Sequence, residues 1–219
     1  MVTLEEVKAN EEVDALVLGT KKELEVLGYT EHSYRHIGIV SERAGRILQE
    51  LGYDEHTVEL ARIAGYLHDI GNCVNRVDHA HSGAILAFEI LKDMGMPVQD
   101  RASIMLAIGN HDESTGTAVS EISAALIMAD KTDVHRSRVV NKNIATFDIH
   151  DRVNYAVTES KLDINKEERK ITLNLTIDTT ICAVLDYFKI FMDRTIMTKY
   201  AANFLDVRFE LIINDTKLL

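Results

Sequence analysis

The sequence predicts a mainly α-helical chain that carries a small α+β layer at its C-terminus. Three observations make that prediction. Over the first 145 residues apolar positions recur every three or four places, the period of a helix with one buried face. The 219 residues include one proline and eleven glycines, so long helices with short connections are expected. After Phe147 the period changes to two. In "ITLNLTID" Ile171, Leu173, Leu175 and Ile177 alternate with polar residues, and "VRFELIIN" repeats this with Val207, Phe209, Leu211 and Ile213. The chain is therefore divided into a helical core, residues 1–147, and an α+β appendage, residues 148–219, too thin to stand alone.

The elements follow in order. "TLEE" reads as a capping box, with Thr3 as cap and Glu6 reaching back, and one or two helices fill the region to Leu27, closed by Gly28. The next helix carries Tyr34, Ile37, Val40, Ala44, Ile47, Leu48 and Leu51 on its apolar face and stops at Gly52. Asp54 caps a helix from about Glu55 to His68. A fourth runs from about His79 to Met94, a fifth from about Val98 to Asn110, and Ser120 caps a sixth that extends to about Asp133. In the appendage a strand around Val153 to Ile164 pairs with the "ITLNLTID" strand across the turn "NKEE". With the last strand this makes about three strands of antiparallel type. One helix, from about Thr180 to Phe204, lies between them with Ile181, Val184, Leu185, Phe188, Met192, Ile196 and Tyr200 on its apolar face.

Composition narrows the function classes. With 46% hydrophobic and 27% charged residues the chain can build one substantial core. Twenty-four basic against thirty-five acidic residues leave a net charge of −11. Such a surface repels nucleic-acid polymers and anionic lipid, so neither is an expected partner. The acidic, polar start "VTLEEVKANEE" does not read as a leader, and no apolar run approaches a membrane span, so a cytoplasmic address is expected. Cys73 and Cys182 lack CxxC spacing and read as reduced structural thiols.

The chemistry-bearing residues sit at helix ends or loop edges, except His36, which is read as mid-helix. They are His36, the adjacent pair His68 and Asp69, His79, His111 and Asp130, spread over different helices or their edges. Four imidazoles and two carboxylates are the donor set that two divalent transition ions need. A carboxylate has two oxygens, so Asp69 can bridge ions about 3.5–4 Å apart, whereas His68 binds only one. The negative end of a helix dipole at this pair also favours a cation.

That order of ligands, with "RHIGIVSERAGRIL", "AGYLHDIGN", "HAHSGAILA", "AIGNHDESTG" and "LIMADKTDVHRSR" around them, resembles the HD-domain superfamily of metal-dependent phosphohydrolases over roughly residues 30 to 140. The likeness is greatest to members that bind two metals and cut nucleotide or dinucleoside phosphates. The resemblance implies an HD-type helical bundle, the metal ligands His36, His68, Asp69, His79, His111 and Asp130, and one or two divalent transition ions (Mn, Fe, Co, Ni or Zn). It selects His79 over His81, which lies two residues away. In some mononuclear members an acid three residues after the paired Asp serves as proton donor. Here that position is Asn72, which weakens a nucleoside-monophosphatase reading.

The function so implied is hydrolysis of a phosphoester or phosphoanhydride in a small phosphorylated substrate, a nucleotide for preference, by a metal-activated water. Asp69 and Lys131 are the catalytic candidates. Lys131, Arg136 and Arg138 follow the last ligand and are candidates to clamp phosphate, with Arg76, Thr115 and Gly116 as further candidates for the pocket wall. For the basic cluster a solvated patch closing a helix stands as the alternative. Asp112 and Glu113 read as loop acids within reach of the metals' waters, and His32, His56, His135 and His150 as solvent-facing. Two other functions share the ligand set: a di-iron oxygenase that cleaves a C–C or C–P bond, and a nucleotide-sensing regulatory domain. The appendage, with strand edges to cover, is expected to mediate a homodimer.

Overall fold

The structure is a computed structural model that describes residues 2–219; Met1, the first residue of the start that does not read as a leader, lies outside the described residues. The helical part comprises α1 (Leu4–Lys8), α2 (Glu11–Leu27), α3 (Tyr34–Leu51), α4 (Glu55–Leu67), α5 (His79–Asp93), α6 (Val98–Gly109) and α7 (Glu121–Lys131). Its boundaries are set by short-range chemistry. The Thr3 hydroxyl accepts from the Glu6 N–H while the Glu6 carboxylate accepts from Thr3 N–H, which completes the capping box. Asn10, Asp54 and Ser120 cap α2, α4 and α7 through side-chain oxygens. Gly28 and Gly52 end α2 and α3 in the left-handed conformation, at φ 78° and 91°.

Helix α7 is the centre of the molecule. Every residue from Ile122 to Lys131 is buried, because α3, α4 and α6 surround it on one side and a C-terminal helix covers the other. Leu126, Ile127 and Met128 each contribute about 1.5–3 kcal/mol by burial. That gain offsets the cost of bringing the polar end of α7, Asp130 and Lys131, into the interior. Tyr34, expected on the buried face of α3, is instead exposed, while Ile37, Val40, Ala44, Ile47 and Leu48 are buried as expected.

The C-terminal part contains α8 (Ile149–Ala156), β1 (Val157–Asn165), β2 (Lys170–Ile177), α9 (Val184–Phe204), β3 (Arg208–Ile213) and the two-residue β4 (Thr216–Lys217). Here the structure corrects three expectations. Val153 belongs to α8, capped by Asp148, and β1 starts only at Val157. The sheet has four strands in the order β1-β2-β3-β4 rather than about three, and it is mixed. β1 and β2 form the expected antiparallel hairpin, with Leu162 opposite Leu173 and Ile164 opposite Ile171. β2 and β3 are parallel, with Ile171 beside Phe209 and Leu173 beside Leu211. The 21-residue α9 between them returns the chain to the same end of the sheet, as a parallel pair requires.

The third correction concerns α9 itself. Its buried side is Tyr187, Phe191, Thr195, Thr198, Ala201 and Ala202, whereas Leu185, Met192, Ile196 and Tyr200, expected to be buried, are exposed. The buried side packs on α7, so one hydrophobic core runs from Ile63 and Leu126 through Tyr187 and Phe191 to Leu173 and Leu211. Among the described residues no helix is long and apolar enough to cross a membrane.

Candidate metal centre

Five helices each bring a ligand-type side chain to one place. His36 lies on the buried face of α3, His68 and Asp69 follow the end of α4, His79 opens α5, His111 follows α6 and Asp130 lies in the last turn of α7. All six are at least nine-tenths buried. A short 3-10 turn, Ile70–Cys73, carries the chain from Asp69 toward α5. At Gly71 a Cβ would fall 2.0 Å from the His79 carbonyl oxygen and 2.4 Å from the Gly83 nitrogen, so only glycine lets this turn lie against the start of α5.

The two oxygens of Asp69 face two sets of imidazoles. Oδ2 is 3.6 Å from His36 Nε2 and 3.3 Å from His68 Nε2, and Asp130 Oδ1 is 3.4 and 3.9 Å from the same two nitrogens. Oδ1 is 3.6 Å from His79 Nε2 and 4.0 Å from His111 Nε2, which are themselves 3.2 Å apart. Donor atoms around a tetrahedral ion with bonds of about 2.1 Å are separated by about 3.4 Å, which is the spacing seen here. His36, His68 and Asp130 form one group of donor atoms able to hold an ion, and His68, Asp69 and His111 form another.

The hydrogen bonds behind the rings decide what those rings present. His68 Nδ1 donates to the Gly65 carbonyl (2.8 Å), His79 Nδ1 to that of Arg76 (3.1 Å) and His111 Nδ1 to that of Ile108 (2.6 Å), while His36 Nδ1 donates to Asp133 Oδ2 (2.8 Å). Carbonyl and carboxylate oxygens only accept, so each neutral ring carries its proton on Nδ1 and turns a lone pair at Nε2 inward. Buried His36 Nε2, His68 Nε2 and Asp69 Oδ2 have no hydrogen-bond partner. Lone pairs facing carboxylate oxygens and one another across 3.2–3.6 Å repel, and a cation between them removes the conflict. The donor set therefore fits one or two divalent transition ions.

Electrostatics agree for the two carboxylates and for His79 and His111. At His68 burial is outweighed by the nearby Asp69 and Asp130, which raise the pKa, so an ion there takes the place of a proton. Burial alone would raise the Asp69 pKa, but His68 and, more weakly, His32 and His36 hold it well below the ordinary range. Asp130 is likewise held low against burial by Lys131, His36 and His68. Burial, then His68, Lys131 and His79, pushes His111 down to about 3, and burial also lowers His79. These last two rings are thus neutral, the state a metal ligand requires.

The remaining sequence candidates are placed as follows. Lys131 Nζ lies 2.7 Å from Asp130 Oδ2 and 2.6 Å from Glu113 Oε2, and these carboxylates raise its pKa against the effect of burial. Arg76 Nη1 donates to Asn72 Oδ1 (3.0 Å) and lies 3.4 Å from His79 Nε2. Asn72 in turn donates to Asp69 Oδ1 (2.9 Å). Arg138 is buried behind His36, where it donates to the carbonyls of Asp133 and Glu31. Arg136 lies over the Tyr155 ring at 5.2 Å and is not brought to the cluster. Thr115 lines a side cavity of about 230 Å³ with Arg76, His79 and Asp112, and Gly116 packs on the Asn110 backbone. His81 is exposed beside Asp78, outside the cluster. Burial pushes the Cys73 thiol up, consistent with an unreactive filler.

Several residues the sequence did not single out belong to the surroundings of the cluster. His32, expected to face solvent, is buried with its ring 5.4 Å from that of His36. His135, also expected outside, is half-buried and bonds the Thr158 carbonyl. Asp133 backs His36, and Arg194 of α9 reaches Glu113 at 3.0 Å. A spacing of three from Asp130 to Asp133 was the one signal for the first; nothing in the local sequence marked the second. A cavity of about 410 Å³ adjoins the cluster, with His32, Arg76 and Glu113 on the side of the ligands and α8 and α9 supplying the far wall.

Comparison with known proteins gives a consistent picture. Residues 31–136, which contain all six ligand-type residues, match the family model described as HD domain. An uncharacterized protein of Methanocaldococcus jannaschii is 31% identical over 135 residues, 51% of this chain and 51% of that protein. Ribonuclease Y of Oceanobacillus iheyensis is 32% identical over 99 residues, 44% of this chain and 18% of that protein. The chain thus spans about half the length of the first of these relatives and less of the second. A crystal structure of a predicted HD superfamily hydrolase from an uncultured Thermotogales bacterium is 30% identical, with 57% of this chain and 68% of that chain covered and a TM-score of 0.45.

Proposed function

Because the chain belongs to the HD-domain superfamily, a family of metal-dependent hydrolases, we propose that it is a phosphohydrolase acting on a phosphoester or phosphoanhydride of a small substrate, a nucleotide for preference. One observation carries the reading: four buried histidines turn Nε2 toward the oxygens of Asp69 and Asp130, and His36 Nε2, His68 Nε2 and Asp69 Oδ2 have no hydrogen-bond partner. His36, His68 and Asp130 with Asp69 Oδ2 would hold one ion, and His79 and His111 with Asp69 Oδ1 a second. Bound there, divalent ions supply Lewis acidity toward phosphoryl oxygens and a water acidic enough to react near neutral pH.

The chain's own residues do the rest. Asn72 fixes the Asp69 carboxylate so that its two oxygens stay divided between the two sets. Lys131, held protonated between Asp130 and Glu113, keeps a positive charge where a phosphoryl group would gain negative charge. Arg76, with no carboxylate partner among the described residues, is available to a phosphate oxygen. The net charge of −11 supports a small substrate over a polymer.

The test is a phosphate-release screen of metal-loaded protein across nucleotides, dinucleoside phosphates, sugar phosphates and a short RNA oligonucleotide, with Asp69→Ala as control. Release from a small substrate that is lost in Asp69→Ala supports the reading. Cleavage of the oligonucleotide alone would move the substrate to RNA. No cleavage of any of them, with metal-dependent oxygen uptake instead, would replace hydrolysis by oxygenase chemistry.

A further inference from the structure

We propose that Arg194, on α9 and outside the residues that match the family, is a phosphate-binding residue that adapts this site to dianionic terminal phosphoryl groups. The inference rests on the phosphohydrolase reading and adds to it the class of phosphate taken. Arg194 spends only Nε on the protein, donating to Glu113 Oε1 at 3.0 Å, while its guanidinium lies over the Phe191 ring at 5.1 Å. Its two Nη nitrogens have no acceptor among the described residues, and the side chain lines the 410 Å³ cavity. A planar fork held at one corner, with both outer donors unspent, is the arrangement that takes two oxygens of one phosphoryl group.

Charge points the same way. Glu113 is shared by two cations, Arg194 at 3.0 Å and Lys131 at 2.6 Å, and Lys131 also pairs with Asp130 at 2.7 Å, so Arg194 holds only a shared carboxylate at one corner. Arg76, on the same cavity, makes no ion pair among the described residues. Asp148 and Asp151, on the α8 side, form no ion pair with any of these groups. Unpaired Arg76 and Arg194, with its two unspent Nη donors, are the cations left to a ligand in this cavity, and a dianion suits the two better than a monoanion. A terminal phosphoryl group offers two negative charges; an internal phosphodiester offers one.

The chain of ion pairs from Arg194 through Glu113 and Lys131 to the ligand Asp130 gives a competing, purely positioning role, and the test separates the two. Binding of inorganic phosphate and of dimethyl phosphate to metal-loaded protein is measured by calorimetry for wild type, Arg194→Met and Arg194→Lys, with metal content determined alongside. Wild type should bind phosphate at least tenfold more tightly than dimethyl phosphate. Arg194→Met should lose tenfold or more in phosphate affinity at unchanged metal content, and Arg194→Lys, which keeps a charge for Glu113 but not the fork, should recover only part. Equal phosphate binding by wild type and Arg194→Met, full recovery in Arg194→Lys, or equal binding of the two anions by wild type would each overturn the proposal. If phosphate binding behaves as expected but wild type cleaves no phosphate ester, the subsite stands and the phosphohydrolase reading falls.

Discussion

Asp133→Asn probes how the centre is held in shape. The carboxylate lies 2.8 Å from His36 Nδ1, 3.2 Å from Arg35 and 3.7 Å from Arg138, all but closed to solvent. Burial opposes its charge, yet the bond from His36 and the nearby guanidinium of Arg138 keep its pKa far below the usual carboxylate range. Asparagine has the same size but one neutral acceptor and one donor. If its amide nitrogen turns toward His36, the ring must move its proton to Nε2 and can no longer ligate. Loss of such an outer partner weakens metal binding about 10–100-fold, or about 1.4–2.7 kcal/mol. The fold is weakened separately, because Arg138 loses its charged partner. About 3–5 kcal/mol is the upper bound for breaking a buried pair, reduced here because Arg138 keeps two carbonyl acceptors. Chelator competition reads the first effect and urea unfolding of metal-free protein the second. A variant that is destabilised yet binds metal as tightly as wild type would refute the claim that Asp133 fixes the ring.

The other expectations concern single positions. Asp69→Ala should lose both ions, since its two oxygens serve both sets; full metal content in this variant would remove the bridging assignment. His79→Ala should lose one of two metal equivalents in titration while exposed His81→Ala titrates as wild type, and identical titrations of all three would end the two-ion reading. Gly71→Ala should lower the denaturation midpoint by several degrees, because its Cβ meets backbone at 2.0 and 2.4 Å and overpacking costs about 1–3 kcal/mol or more. A wild-type midpoint would mean that the turn yields freely. One part of the pH dependence of metal-free protein comes from His111, whose pKa falls from 6.5 to about 3. Unfolded chain takes up a proton that the folded ring refuses, so stability falls as pH drops from about 6.5 toward 3, by at most about 1.4 kcal/mol per unit from this group. His111→Asn should flatten the loss between pH 6.5 and 5, and an unchanged slope would assign it elsewhere.

Much of the centre was legible in the sequence because ligand chemistry restricts residue type and place. Histidine and aspartate at the ends of otherwise apolar helices are costly to bury without a task, so His68, Asp69, His111 and Asp130 stood out. What holds the ligands did not. Asp133 was marked only by its spacing of three from Asp130 and Asn72 only as the place of a missing acid, while the carbonyls of Gly65, Arg76 and Ile108 act through geometry that no local spacing announces. Helix α9 misled for a different reason: it is apolar on two sides, so its period identifies a helix without saying which stripe, Phe191 and Ala201 or Met192 and Tyr200, meets the core. Alternation in β2 and β3 fixed their faces but not their relative direction. The length of α9 between them was the overlooked sign of a parallel pair.

The distribution of ligands over α3, the end of α4, α5, the end of α6 and α7 also shapes how the molecule breathes. An ion held there acts as a rivet through five helices, and at a concentration a thousandfold above its dissociation constant it adds about 4.1 kcal/mol against any opening that separates them. Amide exchange in these helices should therefore slow together on metal loading, as one cooperative unit. Fraying of α1 and of the β1–β2 hairpin, which contribute no ligand, separates nothing the ion joins and should keep its own rate. Metal loading thus redistributes rigidity, concentrating it in the helical centre and leaving the periphery as mobile as before.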